Sequence, residues 1–177
     1  MRGIKWSNTW KNLDKVRGLN ATETEFLWKM TLDMLLIGGR IHRANVDKEC
    51  KNDVDGQECK VIPDLVHTFV SCKGIEKDFV ALVDLIKKVL NFEIKMKEII
   101  TISFTHRNVK RRWVTVWLVA KVMYGMYKKE DLRVILEHIV VDLEWLLQSR
   151  VRVGSCEEMN RLRDIVRTYL IVPQIRH

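Results

Sequence analysis

The stretch CKNDVDGQECKVIPDLVHTFVSC, residues 50–72, sets three cysteines and one histidine in a single short polar segment: Cys50, Cys59, His67 and Cys72. Thiolate sulfur and imidazole nitrogen are zinc's preferred donors, and a Cys3His set fills a tetrahedral ion without leaving a position for substrate. The stretch therefore predicts a structural zinc site, with Zn as the cofactor and scaffolding as its role. The half Cys59-x7-His67-x4-Cys72 has comfortable ligand spacing. Cys50 and Cys59 are separated by eight residues, Lys51 to Glu58, rich in turn formers. A loop can return Cys59 to Cys50, since lengthening a flexible loop adds little closure entropy. Two alternatives stay open: Asp53 as a weaker rival ligand, and ordinary cysteines with a helical histidine that bind no metal.

Around this segment the chain reads as mainly α, a small helical zinc-knuckle-like module followed by a helical bundle. Thr22-Glu23-Thr24-Glu25 fits a capping box opening a helix near residue 23, which Gly38-Gly39 is expected to end. Pro63-Asp64 opens the segment carrying His67 and Cys72, two residues too far apart to share one α-helical turn cleanly. Phe79, Leu82, Val83, Ile86, Val89 and Leu90 recur every three or four residues and predict a helix over 75–90, with Lys87 and Lys88 facing outward. Ile94, Met96, Ile99, Ile100 and Ile102 fit helix or strand, and helix is preferred. Further helices are expected over 109–128 and 130–149, and a last one after Ser155-Cys156-Glu157-Glu158. A module over 1–91 and a helical region over 105–177 follow from this reading.

Composition narrows the function classes. With 47% hydrophobic residues and a mean hydropathy of −0.12, the chain has the make-up of a folded protein rather than a disordered one. A net charge of +8 favours an anionic partner, nucleic acid or an acidic membrane surface. Four cysteines without a secretory signal point to a reducing compartment, nuclear or cytoplasmic. The longest apolar run, Trp113 to Ala120, stops at Lys121, short of the roughly 20 residues a bilayer span needs, and reads as a buried helix. Its basic flank, Lys110-Arg111-Arg112, also suits a membrane surface.

Trp10-Lys11-Asn12-Leu13, the segment Glu25 to Leu35 (EFLWKMTLDML), the turn Gly38-Gly39-Arg40-Ile41-His42-Arg43 and Leu65 to Cys72 (LVHTFVSC) together define an arrangement. Over about residues 10–90 it resembles the reverse transcriptase zinc-binding domain of non-LTR retrotransposon polyproteins. Trp113 to Tyr127 is similar to the apolar helix that often follows in them. The resemblance implies a non-catalytic accessory module beside a polymerase, binding zinc and nucleic acid, with His67, Cys72 and Cys50 as ligands. The chain departs from the family at Ile37, where a proline is usual, and at the wide Cys50 to Cys59 spacing, which puts Asp53 near the second cysteine's place. The fourth ligand is thus open between Cys59 and Asp53.

For nucleic acid, the candidate contacts are Arg40 and Arg43, near His42 and Lys48, and Arg107, Lys110, Arg111 and Arg112 before the Trp113 helix. Such cations neutralise RNA or DNA phosphates without reading sequence. The six tryptophans, Trp6, Trp10, Trp28, Trp113, Trp117 and Trp145, could stack on unpaired bases, but aromatic residues at helical spacing are far more often core and that is the expectation, with Trp113 packed on Trp117 one turn on. His138 reads as a surface-edge residue. No catalytic set is visible: Gly-rich phosphate loop, nucleophile elbow, His-Glu-x-x-His and paired polymerase acids are all missing, and Asp142 and Glu144 fall on different helical faces. The competing readings are a metal-free helical protein-interaction domain that docks a partner on helix 130–149, and a decayed retroelement fragment.

Overall fold

The computed structural model describes residues 6–13, 16–32, 34–35, 49–50, 52–54, 56–91, 93–104, 108–149 and 156–171. The architecture is mainly helical. In order come α1 (Trp6–Leu13), α2 (Ala21–Thr31), the strands β1 (Asp53–Val54) and β2 (Gln57–Glu58), a π turn (His67–Ser71), α3 (Lys73–Leu90), α4 (Met96–Thr101), α5 (Val109–Tyr127), α6 (Leu132–Gln148) and α7 (Cys156–Ile171).

Helix α5 is the axis of the bundle. From Trp113 to Met123 its sequence is apolar on nearly every face, and every residue of that run is buried, as expected of a helix with neighbours all round. It packs against α1, α2, α3, α6, α7 and the π turn. The approach to α6 is close: a Cβ added at Gly125 would lie 2.4 Å from Ile135 Cγ1. Helix α6 is amphipathic and buries Leu132, Ile135, Leu136, Ile139, Leu143 and Leu146, with Asp131 capping it by accepting from the Arg133 N–H at 2.8 Å. Helix α7 packs on α6, α3 and α5 through Met159, Leu162 and Val166, and α3 joins the same core through Phe79, Leu82, Leu85, Ile86 and Val89.

The predicted boundary between residues 91 and 105 is bridged by packing. One cluster of buried side chains runs from Leu13 to Val166 and takes in Ile94, Ile99, Ile100, Ile102 and Phe104. Helix α1 is fastened to the same segment, Thr9 Oγ1 donating to Thr101 O at 2.9 Å and Asn12 Nδ2 to Ile102 O at 2.6 Å. Trp117 Nε1 donates to Gly18 O at 3.0 Å and ties the loop after α1 to the axis.

Two helix ends differ from the sequence expectation. The box that opens α2 is Asn20 with Glu23, not Thr22 with Glu25: Asn20 Oδ1 accepts from Glu23 N and Glu23 Oε2 from Asn20 N, each at 2.9 Å. Both pairs have box spacing; Glu25 instead pairs with Lys29. The helix stops at Thr31 with Leu32 as its C-cap, ahead of Gly38-Gly39, which lie outside the described residues. The periodicity-based expectations for α3, α5, α6 and α7 match the observed helices within a few residues, and within the ambiguous stretch Met96–Thr101 forms helix α4.

Candidate metal centre

Two local devices bring the four donors together. The first is a hairpin. Strands β1 and β2 pair antiparallel, Asp53 with Glu58 and Val54 with Gln57, around Gly56 at φ +80°. Glycine adopts that left-handed conformation without the Cβ penalty of other residues. The pairing continues beyond the strands: Cys59 N donates to Asn52 O at 3.0 Å and Cys50 N to Val61 O at 2.8 Å. The wide spacing between Cys50 and Cys59 is thus the length of a hairpin whose arms end side by side.

The second device is the π turn. Asp64 opens it, its carboxylate accepting from His67 N at 2.7 Å, and the Cys72 N–H closes it on His67 O at 3.1 Å, five residues back. In an α-helix residues five apart diverge by roughly 140°; the wider π turn brings them nearer one side. This is how His67-x4-Cys72 becomes a usable pair, which the α-helical expectation could not provide. Phe69 and Val70, within the turn, are buried in the core, Phe69 edge-on to Phe26 of α2 at 6.1 Å. The site's helical half is therefore anchored to the bundle.

Together the two devices place one ligand atom each from Cys50, Cys59, His67 and Cys72 all within 4.8 Å of one another, close enough to hold a metal ion. Cys50 Sγ lies 3.7 Å from Cys72 Sγ, and Cys59 Sγ 3.6 Å from His67 Nε2. Cys59 is the fourth member of this group, where the sequence left the place open between Cys59 and Asp53. Cys72 is buried and the other three are partly buried, so the cluster lies at the edge of the core.

The thiols are electrostatically unequal. Burial pushes Cys50 up to about 11, helped by the neighbouring Cys72 sulfur and opposed by a hydrogen bond from the Asn52 backbone. At Cys72 burial acts in the same direction but is outweighed, so the thiol sits below its usual value: the Asn52 side chain, the Gly74 N–H and the thiols of Cys50 and Cys59 all stabilise its thiolate. Asn52 Nδ2 to Cys72 Sγ is 3.4 Å. Asn52 is a functional neighbour that the sequence reading missed; its place before a hairpin strand was the only hint. Chemically the cluster offers three sulfurs and one imidazole nitrogen, soft and borderline donors suited to a bound cation.

The cationic candidates are placed unevenly. Arg40, His42, Arg43, Lys48 and Arg107 lie outside the described residues, and Lys110 belongs to α5 with its side chain outside them. Arg112 is partly exposed. Arg111 is partly exposed and already paired, its Nε donating to Glu158 Oε1 of α7 at 2.9 Å. Among the tryptophans Trp113 and Trp117 are buried and stacked at 6.3 Å, as expected, whereas Trp6, Trp10 and Trp145 are exposed and correct the expectation of a core role. His138 is at the surface, and Asp142 and Glu144 diverge, one to Lys121 and the other to Arg167. Among the described residues no helix is long and apolar enough to cross a membrane. No family model, curated protein or solved structure matches the chain.

Proposed function

We propose that the chain is a non-catalytic nucleic-acid-binding module held together by one zinc ion, of the kind that accompanies retrotransposon reverse transcriptases. The observation that carries this reading is the convergence of Cys50, Cys59, His67 and Cys72. In tetrahedral zinc with bonds of about 2.3 Å to sulfur and 2.0 Å to nitrogen, ligand atoms stand about 3.8 Å (S to S) and about 3.5 Å (S to N) apart. The Cys50–Cys72 and Cys59–His67 separations, 3.7 and 3.6 Å, agree with these edges. Thiolate-rich sets select zinc over hard cations such as magnesium, and four protein ligands leave no open position for substrate. Polymerase chemistry in this reading belongs to another part of a polyprotein.

Net charge of +8 and the sequence resemblance support RNA or DNA as the partner, bound through phosphates and not through base sequence. A second reading, a protein-docking helix, draws on one observation: α6 turns Val134, Val141 and Trp145 outward, the last two 63% and 60% exposed. Fluorescence anisotropy with a labelled single-stranded RNA separates the two. Affinity is expected to fall linearly with salt on logarithmic axes, by about 0.7 per phosphate neutralised. Absence of binding at low salt, or binding indifferent to salt, overturns the nucleic-acid reading and leaves the docking helix.

A further inference from the structure

We infer that Trp6, Trp10 and Trp28 form a stacking platform for an unpaired base of single-stranded nucleic acid. The inference rests on the nucleic-acid reading above and assigns it a site. The three indoles make a column: Trp6 on Trp10 at 6.0 Å between centroids and 25° between planes, and Trp10 on Trp28 at 5.4 Å and 22°. Both separations fall in the range of stacked aromatic pairs.

Packing explains why the column is at the surface. Helix α1 turns Thr9, Asn12 and Leu13 inward, and Thr9 and Asn12 are bound to the carbonyls of Thr101 and Ile102. Trp6 and Trp10, one turn apart, are thereby held at the rim of the buried side, where Trp28 of α2 backs Trp10. Trp117 is wholly buried, whereas Trp6 and Trp10 stay 38% and 36% exposed. Indoles needed only for packing would be covered; these are fixed by one another with aromatic surface open to water. Fixing the rings beforehand removes the ordering cost that a flexible aromatic would bear on binding.

Charge selects the occupant. Helix α1, WSNTWKNL, contains no acidic residue, carries Lys11 in its last turn, and begins with Trp6. Helix α1 is free of acids, and the two acids of α2 are neutralised, Glu25 by Lys29 at 2.6 Å and Glu23 by Lys121 at 2.6 Å; exposed indoles so placed on a chain of net charge +8 suit a base with its phosphates better than a purely apolar segment.

The test uses the full chain, its intrinsic tryptophan fluorescence and single-stranded oligo(dT) at low salt, with a duplex of equal length alongside. The single strand should quench the wild type. Trp6→Ala should weaken its binding by about ten-fold and remove much of the quench, while duplex binding is unchanged; Trp6→Phe, which keeps a ring, should retain most of the affinity. Circular dichroism of the variants reads folding, and Trp6→Leu, which keeps apolar bulk without a ring, should lose single-strand affinity as Trp6→Ala does and takes its place should the Ala variant unfold. Equal single-strand affinity in the wild type and the variants overturns the platform and leaves the basic-surface reading standing. Failure of the wild type to bind either nucleic acid overturns both.

Discussion

Lys121 ends the longest apolar run in the sequence and there reads as the charge that stops it. In the folded chain it is buried, its side chain 9% exposed, with Nζ 2.6 Å from Glu23 Oε1 and 2.5 Å from Asp142 Oδ2. Glu23 is as deeply placed, at 7%, and its other oxygen accepts from the Asn20 N–H that caps α2. A partner 98 residues away is invisible to any local reading, so periodicity marks where Lys121 stands but not what neutralises it. A buried pair need not surpass apolar packing in stability, but removing one partner leaves an uncompensated charge. Lys121→Met should lower unfolding stability in chemical denaturation by about 3–5 kcal/mol, and adding Glu23→Gln should restore part of the loss. A single variant as stable as the wild type would show that water already reaches Glu23.

Among the elements, those read from apolar spacing were the most legible. Helices α3, α5, α6 and α7 each carry a stripe or run long enough to dominate local alternatives, and the structure places them where the spacing does. Helix α2 was less so. Its apolar run Phe26, Leu27 and Met30 is buried as the spacing predicts, but Met34, which prolongs the run past Thr31, is exposed, so the pattern outlasts the helix. The π turn was illegible, because His67-Thr68-Phe69-Val70-Ser71 has no local feature that distinguishes five-residue from four-residue hydrogen bonding. The hairpin was half legible: the turn formers are plain, but the pairing that seats Cys59 beside Cys50 depends on register. That register makes Gly56 a sensitive position, since its φ of +80° penalises any side chain even though open space surrounds the Cβ position. Gly56→Val should cost about 1–2 kcal/mol in the left-handed region. If the hairpin forms the site, metal affinity measured against a competing chelator should fall by about 5- to 30-fold; unchanged affinity would mean that Cys59 reaches the cluster without the hairpin.

For the molecule as a whole, the hydrophobic cluster from Leu13 to Val166 joins α1 to α7 through the axis of α5, and Phe69 links the metal-site turn to that same core. The donor set was the most legible functional feature, because side-chain chemistry survives when geometry is unknown; its closure was not, because it needs a hairpin and a π turn at once. What the arrangement predicts for the intact protein is a single bound ion whose loss disturbs the fold. The direct check is metal content by mass spectrometry of the purified chain beside Cys72→Ser, a near-isosteric change at the buried ligand. One zinc per chain in the wild type and close to none in the variant is the expected result. A wild type that retains no zinc when purified without chelator, or a variant that keeps as much as the wild type, would contradict it.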